Sequence, residues 1–158
     1  MTTRRPTTTP LEDRRLPVRA KLAAAWTSFM FLYAYVDILA FFKPGVVEGI
    51  EAGRVWEFHI SQTLLTTFLV LMAVPILMVV LSVALPARAN RVTNLVVASV
   101  QVPFAAFNTV GESWTYFYGL GVALELFVLA LVLRWAWTWP RTAPSATGPD
   151  LGTVPARR

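Results

Sequence analysis

The sequence predicts an all-α fold: an integral membrane four-helix up-down bundle, with a short interfacial helix in the first outer loop. Three observations predict it. Hydrophobic residues make up 56% of the 158 and charged residues only 15%, where a soluble domain averages about a quarter charged. The mean hydropathy is +0.56. Four continuous apolar runs each approach the roughly 20 residues that about 30 Å of hydrocarbon requires. Membrane strands would instead alternate in runs of about ten residues.

The elements follow in order. Residues 1–19, rich in Pro, Thr and Arg, have little to bury and are expected to form a disordered cytoplasmic tail. They do not read as a secretory signal, because polar residues precede the first apolar run and no small-residue cleavage site follows it. The transmembrane domain is expected over 20–139, with helices at about 21–42, 60–85, 92–110 and 115–137. The connection "KPGVVEGIEAGRVWEF" is long, and Pro44 is placed to open a short helix in it. "PARANR" and "GESW" are short, so the helices they join are expected to be antiparallel neighbours. Pro75 and Pro103 lie inside the second and third helices, where proline usually bends a membrane helix. Residues 140–158 form a second expected disordered tail.

Orientation follows from the basic residues. Of the 14 Lys and Arg residues, only Lys43 and Arg54 fall on the side of the first and third connections. Both termini are therefore expected in the cytoplasm, in a multi-pass protein of the cell (inner) membrane. Trp135, Trp137 and Trp139 mark one boundary, Trp56 and Trp114 the other. Positive charge gathered in tails and one loop fits anionic lipid better than nucleic acid, which is not an expected partner. The expected partners are the lipid bilayer and either a membrane subunit or a second copy. The chain has no cysteine, which excludes disulfides and thiolate metal sites. No metal or cofactor is expected.

Polar residues inside these runs are the candidate site. An acid at the centre of a membrane helix costs about 2.5–3.5 kcal/mol on insertion scales, so it normally faces other helices or a wet cavity. Asp37 lies near the outer end of the first helix and Glu125 near the middle of the fourth. On the third, Asn94, Gln101 and Asn108 recur every seven residues and share one face, which Glu112 continues. His59 with Gln62, Thr63 and Thr66 is expected on one outer face, Tyr33 level with Gln101 and Glu125, and Tyr118 on the side of Glu125. Together they outline an outward-facing polar cavity, with Asp37 and Glu125 as ligand anchors or proton carriers. The amide stripe has a second reading, as hydrogen bonds that join helices.

The stretches "LEDRRLPVRAKLAAAWTSFMFLYAYVDIL", "LMVVLSVALPARANRVTN", "FNTVGESWTYFYG" and "LRWAWTWP" resemble a group of small bacterial four-helix membrane proteins catalogued as a domain of unknown function. That group is similar in architecture to DoxX-like proteins, which are linked to membrane redox systems. The resemblance implies fold and location, and no catalytic residues.

Three function classes remain. The polar cavity binds a small ligand, lipid or proton; or the chain is a structural or accessory subunit of a membrane complex; or it is an enzyme doing acid/base chemistry on a lipid-like substrate. No Ser-His-Asp spacing, HExxH, P-loop or glycine-rich dinucleotide loop is present, which places the enzyme reading last.

Overall fold

The computed structural model describes residues 16–140. Residues 1–15 and 141–158, most of the two expected disordered tails, lie outside them. Five helices and one small hairpin follow in the order α1 (Val18–Ala40), α2 (Val46–Glu51), β1 (Arg54–Val55), β2 (Phe58–His59), α3 (Gln62–Ala84), α4 (Ala87–Phe107) and α5 (Thr115–Trp137). The first helix begins inside the segment expected to be a tail, because Pro17 lacks only a donor that a first turn leaves unused.

Among the described residues, α1, α3 and α5 are long and apolar enough to cross a membrane. Each has 23 residues, about 34 Å at 1.5 Å per residue. The 21-residue α4 is not among them, because Arg88, Asn90, Arg91, Asn94 and Gln101 dilute its apolar content. Four apolar spans were expected; three stand on length and composition.

Local chemistry places the ends. Ser61 caps α3 by accepting the Leu64 amide at 3.2 Å, as an N-cap hydroxyl does. Leu85 and Pro86 are extended, so α3 stops and α4 starts within three residues. Both helices run on through their prolines, Pro75 and Pro103. The hairpin was not expected. Arg54 pairs with His59 and Val55 with Phe58, leaving Trp56 and Glu57 as a two-residue turn. Trp56 takes φ 58 there, a left-handed value that such turns need and that glycine normally supplies.

The four long helices alternate in direction. At one end Arg19 Nη1 donates to the Val83 carbonyl at 3.0 Å, and the Lys21 ammonium lies 5.9 Å from the Trp135 ring. At the other end Lys43 pairs with Glu112. We call these the basic end and the hairpin end. α1 packs on α3 and α5, and α5 packs on α4, whereas α3 and α4 touch sparingly. The short connection between α3 and α4 therefore joins weak neighbours, against the expectation; that between α4 and α5 joins close ones.

The core is lopsided. Leu22, Ala25, Trp26, Phe29, Met78, Ala98, Leu129, Val132 and Ala136 form it. No residue of α1 beyond Phe29 and none of α3 before Pro75 is fully buried. The basic end is thus closed by packing, while the hairpin-end halves of α1 and α3 leave much of their apolar surface uncovered.

Gly121 sets the spacing of α1 and α5. A Cβ built there would lie 2.9 Å from Val36 Cγ2, inside contact distance, and valine has little rotamer freedom with which to yield. Gly121→Ala is expected to destabilise the fold by about 1–3 kcal/mol, the usual range for overpacking. Val36→Ala in the same chain should restore most of it. Denaturation midpoints of the three chains in mild detergent are the check; an unchanged midpoint in Gly121→Ala would rule out the close approach.

Candidate functional site

The amide stripe of α4 divides into two parts with different surroundings. Nearer the basic end, Asn90, Asn94, Ser82 and Trp26 form a buried network across three helices. Trp26 Nε1 donates to Asn94 Oδ1 at 2.7 Å, and Ser82 Oγ donates to the same oxygen at 3.3 Å. Asn94 Nδ2 donates to the Asn90 carbonyl at 2.9 Å and to Asn90 Oδ1 at 2.7 Å. Asn90 Nδ2 donates to the Ser82 carbonyl at 2.6 Å. Both lone pairs of Asn94 Oδ1 and the polar groups of its neighbours are thus occupied. Such a network joins α1, α3 and α4.

Nearer the hairpin end the arrangement is looser. Asn108 Nδ2 donates to the Tyr33 hydroxyl at 3.0 Å, tying the end of α4 to α1. Beyond it, Glu112 accepts from Lys43, and the Lys43 ammonium also lies 5.4 Å from the Tyr118 ring. The Glu112 carboxylate holds the Lys43 ammonium above its ordinary pKa. This pair sits at the hairpin end, with side chains 19% and 13% exposed.

Glu125 sits between the two parts. It is 2% exposed on the buried stripe of α5, which continues as Leu129, Val132 and Ala136. Its Oε2 is buried and has no hydrogen-bond partner among the described residues. Asp37 lies close enough for its charge to act on Glu125, and Tyr33 lies within reach of both acids. Tyr118 lies within reach of Asp37, Lys43 and Glu112. Polar groups therefore run from Glu125 through Tyr33, Asp37 and Asn108 to Tyr118 and the Lys43–Glu112 pair.

Not every expected member joins this set. Gln101 is buried on the stripe of α4 that also carries Asn94, Ala98 and Ala105. His59 does not face the others from a helix: it is an exposed residue of β2, paired with Arg54. Gln62, Thr63 and Thr66 are exposed on α3, where they line a groove of about 430 Å³ with Thr67, Val70 and Leu71. A second groove, of about 440 Å³, lies between α4 and α5. Neither contains Asp37 or Glu125; of the two acids, Glu125 is enclosed and Asp37 is exposed. Among the described residues no group of three or more His, Cys, Asp or Glu is placed to hold a metal ion.

Trp26, Ser82 and Asn90 are the polar residues that sequence reasoning missed. Asn90 stands four residues before Asn94, one turn away on its face, and that spacing was the available signal.

The Family of unknown function (DUF6326) matches the chain over residues 13–145. The chain belongs to this family. No curated protein and no solved structure matches it.

Proposed function

We propose, for a chain whose family carries no assigned activity, that it is an integral membrane protein whose Glu125 binds a proton reached from the hairpin end. In this reading the four long helices cross the bilayer of the cell membrane with both termini cytoplasmic, so the hairpin end faces outward. The likeness to DoxX-like proteins rests on the sequence stretches alone.

The observation that carries the proposal is the buried, unpartnered Glu125 Oε2. A carboxylate enclosed in a membrane domain is expensive without a partner, and near mid-span it cannot reach the headgroups. A proton neutralises it without needing a cavity, and neither of the two grooves described above includes this residue. Tyr33, Asp37 and Asn108 supply hydroxyl, carboxylate and amide groups on the hairpin side. On the other side the α5 stripe continues as the buried apolar Leu129, Val132 and Ala136, and the Asn90 and Asn94 side chains are engaged in hydrogen bonds of their own. In this reading the proton path leads to the hairpin end.

A second reading is favoured by one observation. Asp37 is exposed on a membrane-length helix, where lipid would surround it, so a partner subunit or a second copy covers the uncovered halves of α1 and α3.

Two measurements test the proposal. The chain has no cysteine, so Ser113→Cys in intact cells should react with an impermeant thiol reagent and Ala89→Cys should not. The reverse pattern overturns the orientation. In purified protein, acid-minus-alkaline infrared difference spectra should contain a titrating carboxylic-acid band that is absent from Glu125→Gln; identical spectra overturn the proton site.

A further inference from the structure

Charge on the described residues is segregated. Arg19, Lys21, Arg88, Arg91 and Arg134 lie at the basic end. All six described carboxylates, those of Asp37, Glu48, Glu51, Glu57, Glu112 and Glu125, lie at mid-helix or toward the hairpin end. Among the described residues the ion pair Lys43–Glu112 is also at the hairpin end. The basic end therefore holds guanidinium groups that face no carboxylate among the described residues.

Two of those groups flank one groove. The groove of about 440 Å³ between α4 and α5 is lined by Leu95, Ser99, Leu133, Arg134, Trp137 and Thr138. Arg91 stands one turn before Leu95 on α4, and its guanidinium lies 5.9 Å from the Trp137 ring. Its Nε is buried without a hydrogen-bond partner among the described residues. Arg134 is exposed on the facing helix. The polar members thus sit at the level of the helix ends, and Leu95, Ser99 and Leu133 lead inward from them along the α4–α5 seam.

We propose that this groove binds one anionic phospholipid, its phosphate between Arg91 and Arg134 and one acyl chain along Leu95 and Leu133. The guanidinium fork matches a phosphate diester in shape as well as in charge. Trp137, 70% exposed, is the amphipathic ring that membrane proteins place at headgroup depth. An acidic partner protein would satisfy the charges but not the aliphatic seam that continues from them. The inference rests on the membrane reading above, and on the basic end lying at a headgroup layer.

The test uses the full chain purified in mild detergent and delipidated, titrated with a short-chain phosphatidylglycerol and, separately, with the matching phosphatidylcholine. Binding is read by native mass spectrometry and by the rise in thermal midpoint. Phosphatidylglycerol should bind and stabilise, and phosphatidylcholine should do so much less. Arg134→Gln and Arg91→Gln should each weaken the phosphatidylglycerol effect about fivefold. Arg88→Gln, an exposed cation outside the groove, should leave it unchanged.

Equal response to the two lipids overturns the proposal. So does an Arg88→Gln loss equal to that of Arg134→Gln, which would mean diffuse attraction to the whole basic end. Inorganic phosphate reproducing the full shift overturns it as well, in favour of a free-anion site. A chain that stays soluble without detergent sinks the membrane reading itself; one that needs detergent yet treats both lipids alike sinks only this inference.

Discussion

In Glu125→Gln the titrating carboxyl band vanishes and the chain takes up one proton fewer, while insertion and folding stay close to wild type. The amide has nearly the same shape and keeps an acceptor oxygen, so packing against the buried stripe of α5 survives. What disappears is the group that can gain a proton. Glu125→Leu separates chemistry from stability more sharply. If the acid contributes nothing structural, removing it relieves a burial cost of about 2.5–3.5 kcal/mol on insertion scales, and the leucine chain should resist denaturation better than wild type while losing the band completely. A large loss of stability in both chains would instead make Glu125 a structural member of the helix contact. Asp37→Asn should shift the midpoint of the band without removing it, because the Asp37 charge acts on Glu125. A midpoint unmoved by this change would show that Asp37 and Glu125 are not coupled.

Asn94→Leu is the second large effect, and it acts on stability. Leucine has the branched heavy-atom skeleton of the amide but leaves the Trp26 Nε1 donor, the Ser82 hydroxyl and Asn90 Oδ1 without their partner. A buried polar group left unpaired costs about 1–3 kcal/mol, and membrane hydrogen bonds average about 0.6 kcal/mol. A total loss of about 2–4 kcal/mol follows when several groups are orphaned together. The network nature of the loss is testable separately. Trp26→Phe should cost clearly less in an Asn94→Leu background than in wild type, because its donor has then already lost its acceptor. Additive costs, measured as detergent denaturation midpoints, would mean that Trp26 and Asn94 act independently.

The long apolar runs were legible because length and continuity alone distinguish them. Apolar runs located α1, α3 and α5 to within a few residues of their observed ends. The start of α4 was placed late, since "PARANR" reads as a charged loop; the helix begins at Ala87 because alanine and arginine favour helix once Pro86 has turned the chain. The seven-residue spacing revealed the amide stripe. It did not reveal that Asn94 and Asn108 have opposite fates, because that depends on which side chains three other helices present at each depth. Trp26 and Ser82 carry no periodic mark, and their role emerges only when α1 and α3 meet α4. His59 was misplaced for a backbone reason. Its strand has two residues and its turn carries Trp56 in place of the expected glycine, so neither a strand pattern nor a turn pattern stood out.

The uneven closure of the helices has a mechanical consequence. Met78 and Ser82, knit into the tight end, act as a fulcrum for α3, and the start of that helix lies about 24 Å from Met78 at 1.5 Å per residue. A tilt of about 5° at the pivot carries the far tip through about 2 Å. Little side-chain interlocking resists that swing along the free arm, so a rearrangement too small to disturb the knot at its root is magnified where the arm ends.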